Sequence, residues 1–257
     1  MAKRTRKKAN ALHTVDNVVH SAFVEDIGRG GQRNAKWHPL GEEIDRSRDK
    51  KYVKNVQPRS EGQKALMDAI STHNLTLAIG PAGTGKTYLA ISAAVDALEK
   101  GSIEKIILSR PAMEAGESLG YLPGDMHEKM APYLRPLYDA LGDRMGGRRV
   151  KQHIDEGTIE IAPVGFMRGR TLNNAYVVID EAQNCTYVQL KMLLSRLGWH
   201  STMIVTGDPD QSDLLPGISG LGMIADKLEK LPNIAVMRLQ KEDIVRHPLV
   251  AEMLTVL

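Results

Sequence analysis

The sequence predicts an α/β protein: a parallel sheet flanked by helices, preceded by a basic N-terminal arm. Three observations predict it. Short apolar runs alternate with amphipathic segments from Gln57 onward, as strands buried on both faces alternate with covering helices. A glycine-rich loop joins one apolar run directly to a helix-forming stretch. Residues before Gln57 show no sustained period, and residues 1–56 hold 13 Lys and Arg against 7 Asp and Glu.

Length and composition set the bounds. The 257 residues suit one sizeable α/β domain with a tail, or two small domains. Apolar residues make up 42% and charged residues 25%, ordinary values for a globular chain. No apolar run is long enough for a membrane span, and the basic start, Met1 to Lys8, leads into no apolar signal core. One cysteine, Cys185, excludes an internal disulfide framework and points to a reducing cytoplasm. The net charge of +3 belongs to the arm, because residues 57–257 carry 21 basic against 24 acidic side chains. Five of the first eight residues are Lys or Arg; they either pair with nucleic-acid phosphates or form a solvated tail.

The elements follow in order. Residues 1–55 read as a flexible arm, with one short helix around Val18, Val19, Phe23 and Val24; residues 56–257 form the core domain. Ser60 caps a helix over Glu61–Ser71 whose Ala65, Leu66, Ala69 and Ile70 share a face. Leu75–Ile79 is a buried strand. Lys86–Glu99 is a helix that stops near Gly101. Ile106–Leu108 is the next strand, and proline-bounded helical stretches run to about Leu141. Gly146–Arg149 reads as a loop. Strands recur at Ile159–Ile161, Val177–Ile179, Met203–Val205 and Ile234–Val236, with helices over Tyr187–Arg196 and Leu221–Leu231 between the last three.

Three loops carry chemistry. Gly80-Pro81-Ala82-Gly83-Thr84-Gly85-Lys86-Thr87 matches G-x-x-x-x-G-K-[ST] between a strand and a helix. Glycines let successive backbone N–H groups face phosphates, and the helix N-terminus adds positive potential. Lys86 reaches the β- and γ-phosphates and the Thr87 hydroxyl ligates Mg²⁺. These eight residues and Tyr88 are the candidate nucleotide contacts. Tyr176–Ile179 then delivers Asp180 and Glu181 to the C-terminal end of a strand, where open α/β sheets place ligands. Asp180 is assigned to Mg²⁺ and Glu181 to orienting the attacking water. Thr206-Gly207-Asp208-Pro209-Asp210-Gln211 follows a third strand and aims Gln211 at the γ-phosphate. Glu181 and Gln211 suit water activation, which disfavours a small-molecule kinase.

The three motifs in this order resemble the first motor domain of superfamily 1 helicases. The match narrows with Ser109-Arg110-Pro111-Ala112-Met113-Glu114-Ala115-Gly116-Glu117-Ser118 and its continuation to Asp125, with Pro132–Leu141, with Phe166–Leu172, with Asp180–Asn184, and with Asp243-Ile244-Val245-Arg246-His247-Pro248. Together these resemble the PhoH family of P-loop ATPases over roughly residues 57–250. The resemblance implies a single RecA-like P-loop NTPase core, ATP hydrolysis with Mg²⁺, a role in RNA metabolism and ring oligomers, a hexamer as first guess. Gln63, 17 residues before Gly80, is similar to the glutamine that reads adenine in superfamily 1 enzymes, and no N-K-x-D guanine-reading motif occurs. Arg246 resembles a late arginine finger, with Arg168 and Arg170 as rivals.

The pattern departs from its helicase relatives in offering room for one motor domain, with no attached nuclease domain. The expected function is therefore an ATPase acting on RNA or single-stranded nucleic acid; the competing one is an ATP-dependent assembly switch for a nuclease or ribosomal partner. With 11 aromatic residues in the chain a base-stacking platform is not expected. The eight His show no close pair at ligand spacing, so no zinc site is expected, and Cys185 reads as a small buried apolar residue.

Overall fold

A computed structural model of the chain describes residues 56–111, 126–245 and 253. The expected arm, its short helix, and the segment 112–125 lie outside the described residues.

Twelve named elements follow one another: α1 (Glu61–Thr72), β1 (Leu75–Ile79), α2 (Lys86–Glu99), β2 (Lys105–Arg110), α3 (Met126–Met145), α4 (Gly147–Asp155), β3 (Ile159–Pro163), β4 (Ala175–Ile179), α5 (Tyr187–Leu194), β5 (Thr202–Gly207), α6 (Leu221–Leu228) and β6 (Ala235–Arg238). The strands form one sheet in the order β3-β2-β4-β5-β1-β6, and every pairing is parallel. Every residue of β1 and of β4 is buried, the pattern of strands covered on both sides.

The two faces are read off by alternation along the strands. Ala78, Ile106, Leu108, Val178 and Ile204 face a core built with Leu66 of α1, Ile91 and Val95 of α2, Leu137 and Leu141 of α3 and Val150 of α4. Their neighbours Leu77, Ile79, Ile107, Val177, Ile179 and Val205 face Leu190 and Leu193 of α5 and Leu221 and Ile224 of α6. Arg144 is fully buried between the helices and reaches Asp96 at 2.8 Å, so its charge is paired where α3 crosses α2.

Two expectations are corrected. The prolines do not bound separate stretches: α3 runs unbroken through Pro132 and Pro136. Each proline removes one helical hydrogen bond, but the buried row Leu134, Leu137, Leu141 and Met145 on the opposite face holds the helix to the sheet. Gly146–Arg149 is not a loop. Gly146 alone makes the break, at φ 82°, and α4 begins at Gly147, held by the buried Val150. Leu75–Ile79 and Lys86–Glu99 stand with the expected bounds, and the remaining boundaries move by at most three residues. Ser195 closes α5 before Arg196, and α6 ends at Leu228 rather than Leu231. Among the described residues no helix is long and apolar enough to cross a membrane.

Gly220, at the start of α6, is where two chain segments meet. A Cβ there would stand 2.3 Å from the backbone nitrogen of Tyr187, whereas one on Gly222 meets nothing within 4 Å. Gly220→Ala should therefore destabilise the fold by about 1–3 kcal/mol. Gly222→Ala should be neutral or stabilise it by up to ~1 kcal/mol, since alanine is the better helix former. Urea midpoints check both; equal shifts for the two variants would contradict this packing.

Candidate active site

β1 ends at Ile79 between β5 and β6, and the loop that follows is pinned on both sides. The Gly80 N–H donates to the Gly207 carbonyl (3.2 Å) and the Leu239 N–H to the Ile79 carbonyl (2.7 Å). Gly80 has φ 143°, and a Cβ there would lie 2.4 Å from the Leu239 carbonyl oxygen, so only glycine fits. Gly85 closes the loop in the left-handed region (φ 82°) and is the N-cap of α2 without a side-chain cap bond. The first backbone N–H groups of α2 therefore keep their capacity for an anion.

Lys86 folds back over this loop. Its Nζ donates to the carbonyls of Gly80 (2.6 Å) and Pro81 (2.7 Å) and to Thr84 Oγ1 (3.3 Å). Burial pulls its pKa below the ordinary lysine value, opposed by the negative charges of Asp208, Glu181 and Asp180. A phosphate chain in the same place adds negative charge and favours the ammonium further.

The next two residues, Asp180 and Glu181, leave β4 in opposite states. Asp180 is 3% exposed, and its Oδ1 accepts hydroxyl bonds from Thr87 (2.6 Å) and Thr206 (2.7 Å). Glu181 is half-exposed and sits in the left-handed region at φ 53°, which costs a non-glycine residue of order 1–3 kcal/mol. That conformation turns the chain from β4 into the 3₁₀ turn Ala182–Asn184.

Gln183 ties the acidic turn to the loop after β5. It is 2% exposed; its Nε2 donates to Glu181 Oε2 and to the Gln211 carbonyl (3.4 Å), and its Oε1 accepts from the Asp208 N–H (3.0 Å). Asn184 and Asp213 add a reciprocal pair: Asn184 Nδ2 donates to Asp213 Oδ2 and the Asp213 N–H donates to Asn184 Oδ1, each at 2.9 Å. These loops enclose a cleft of about 290 Å³. Ala82, Gly83, Gly85, Lys86, Thr87 and Tyr88 line one wall, and Asp180, Glu181, Asp208 and Gln211 the other.

Most of the predicted site residues therefore meet in one cleft. Gln63 stands just behind it. Its Nε2 donates to the Thr84 carbonyl (3.0 Å) and its Oε1 accepts from the Arg59 N–H (2.8 Å), so it braces the loop from α1. The segment after β6 braces it too. The Asp243 carboxylate accepts from the backbone N–H of Gly62 (3.1 Å) and Gln240 (2.8 Å), and the Gln240 bond leads in holding its pKa below the carboxylate norm. The Val245 N–H donates to the Gly83 carbonyl at 2.9 Å. Arg246 itself lies outside the described residues. The two rival arginines do not line the cleft: Arg168 is exposed, and Arg170 forms a fork with Glu160 at 2.5 and 2.7 Å. Cys185 is fully buried, and burial pushes its thiol up to about 12, leaving it unreactive.

Four residues that the motif reading left without a role are part of this construction. Thr206 binds Asp180, Asp208 faces Lys86, and Gln183 and Asn184 lock two loops together. The signal was their position beside the motifs; what it lacked was the pairing of β4 with β5, which brings the two loops side by side.

The cleft fits a nucleotide with a divalent cation. Thr87 and Asp180 bring a hydroxyl and a carboxylate to one point at the α2 N-terminus. One hydroxyl and one carboxylate suit Mg²⁺, which takes one or two protein ligands and completes its shell with phosphates and water.

The PhoH family profile, described as PhoH-like protein, matches residues 55–257. A PhoH-like protein of Bacillus subtilis (strain 168) is 53% identical over 202 residues, 78% of this chain and 63% of that protein. Protein PhoH of Escherichia coli (strain K12) is 43% identical over 211 residues, 81% of this chain and 60% of that protein. The chain thus spans about three-fifths of the length of these relatives. Among solved structures, the large terminase from a thermophilic bacteriophage superposes with TM-score 0.51 at 15% identity, covering 77% of this chain and 50% of that one, a likeness of fold alone.

Proposed function

This chain belongs to the PhoH family and is a P-loop NTPase, and from that premise we propose that it is a Mg²⁺-dependent ATPase that acts on RNA or single-stranded nucleic acid as a homo-oligomeric ring. The observation that carries the catalytic part is the convergence of Lys86, Thr87, Asp180, Glu181 and Gln211 on one cleft.

Each residue has a task that its placement supports. The P-loop N–H groups and Lys86 bind and orient the triphosphate. Bound Mg²⁺ would neutralise charge on the β- and γ-phosphates, with Thr87 as a direct ligand and Asp180 as an acceptor behind it. Glu181 accepts a proton from the attacking water, and Gln211 orients that water or the terminal phosphate without adding charge. Adenine lies toward Gln63, whose amide reaches the base by giving up its bond to Thr84 or Arg59; the missing guanine-reading motif supports ATP over GTP.

The nucleic-acid part rests on the basic arm, five of whose first eight residues are Lys or Arg, and on the family resemblance. The cytoplasm is the proposed site of action, supported by the single cysteine. Ring assembly is proposed from the family resemblance and from the single motor core: hydrolytic sites of this kind commonly complete their γ-phosphate end with an arginine, from the same chain or a neighbour. Arg246 of an adjacent copy is the proposed source, and head-to-tail contacts that repeat by rotation close into a ring, six copies being the first expectation.

Steady-state hydrolysis with and without single-stranded RNA tests the activity. ATP turnover should rise several-fold with RNA, and Glu181→Gln should bind ATP normally while turnover falls by roughly 10²-fold or more. Turnover that ignores RNA but responds to a nuclease or ribosomal partner would favour the assembly switch, and full activity in Glu181→Gln would make Glu181 structural.

Mixing two inactive variants tests the shared site. Lys86→Ala subunits combined with Arg246→Ala subunits should regain part of the activity, because some interfaces in a mixed ring keep both residues. A fully active protein that sediments as a monomer with ATP and RNA would remove both ring and shared site.

A further inference from the structure

Arg110 has no part in the site as described so far, yet it touches both acidic residues. It is the last residue of β2, and the Asp180 N–H donates to the neighbouring Ser109 carbonyl at 2.8 Å, so β4 delivers Asp180 and Glu181 beside it. Arg110 Nη2 is 3.4 Å from Glu181 Oε1, and Nη1 is 4.0 Å from Asp180 Oδ2 and donates to the Tyr133 carbonyl of α3 at 3.3 Å. The other Glu181 oxygen is taken by Gln183. Both oxygens of the water-activating carboxylate are therefore engaged by side chains.

The direction of the Arg110 contact matters. In the sheet order, β2 lies on the side of β4 away from β5 and β1, and so away from the P-loop. Arg110 therefore meets Oε1 from the β2 side, the side of β4 away from the P-loop. The contact is also loose: 3.4 Å, against 2.5 and 2.7 Å in the Arg170–Glu160 fork, and the Arg110 side chain is partly exposed. A loose, partly open arginine can exchange a carboxylate for a phosphate, since its planar fork suits both.

We propose that Arg110 is a positioning residue that restrains Glu181 on the β2 side of the cleft, and that a phosphodiester of bound single-stranded nucleic acid competes for its guanidinium and frees the base. The inference rests on Glu181 as the base of the proposed ATPase and adds how nucleic acid sets its rate. Occupation of Arg110 by a phosphate leaves Oε1 available to water, while the nucleotide contacts of Lys86 and Thr87 are untouched. The restraint therefore acts on kcat and not on KM.

The test measures kcat and KM for ATP in the full chain and in Arg110→Ala and Arg110→Lys, with and without poly(U) RNA. Arg110→Ala should raise kcat without RNA by about threefold or more, hold KM within about twofold, and respond to poly(U) no further. Arg110→Lys, which keeps the charge and loses the fork, should fall between parent and alanine. A lower basal kcat in Arg110→Ala, or an unchanged one with the full poly(U) response, overturns the proposal. A parent that ignores poly(U) removes the RNA reading and the competing phosphodiester with it, while the basal kcat of Arg110→Ala still decides the restraint. If Arg110→Ala unfolds, Arg110→Gln, which keeps a donor for the Tyr133 carbonyl, is read by the same criteria.

Discussion

A buried carboxylate must be satisfied where it lies, and in this fold that carboxylate is Asp180. With 3% of its surface exposed, it needs hydrogen-bond donors from the protein, and the Thr87 and Thr206 hydroxyls supply them at 2.6 and 2.7 Å. Those two bonds join the ends of three elements: α2 after the P-loop, β4 and β5. The relative placement of the phosphate loop, the acidic pair and the loop after β5 follows from this junction. Thr87 and Asp180 also bring a hydroxyl and a carboxylate to the proposed cation site, so one arrangement serves the fold and the proposed chemistry.

Around that junction the sheet edge is closed by backbone. Gly80 lies against the Leu239 carbonyl, Val245 donates to Gly83, and Asp243 caps the start of α1. The first two tie the phosphate loop to the stretch after β6 and the third ties that stretch to α1, while Gln63 of α1 and Gly207 of β5 bond the loop directly. Preorganised N–H groups cost no reorganisation when charge arrives. Glu181 is the exception. Its left-handed backbone is accompanied by contacts with the side chains of Arg110 and Gln183, the contacts on which the proposed control of hydrolysis rests.

The sheet and the motifs are legible in the sequence because their signals are local. Leu75–Ile79 is apolar but for Thr76, Tyr176–Ile179 is aromatic or apolar throughout, and the P-loop spacing is written in eight consecutive residues. The strand order is not, since pairing of β1 with β5 and β6 joins segments more than a hundred residues apart. For that reason Gln63, read as an adenine contact, is found with both ends of its amide bound to backbone, and the motifs alone give Gln183, Asp208 and Arg110 no role. The prolines of α3 and the glycines before α4 mislead for a different reason. Their local propensity is to break a helix, but burial of Leu137, Leu141, Met145 and Val150 outweighs it.

The central claim, that the Thr87–Asp180 junction is the cation site of a nucleotide cleft, is tested most directly by metal affinity. Mn²⁺ in place of Mg²⁺ allows binding in the presence of ATP to be followed by electron paramagnetic resonance. The account predicts that Asp180→Asn weakens Mn²⁺ binding to the ATP complex by roughly 10–100-fold, while metal-free ATP binds no worse than to the parent. Equal Mn²⁺ affinity in parent and variant would contradict it and leave Asp180 as a structural carboxylate.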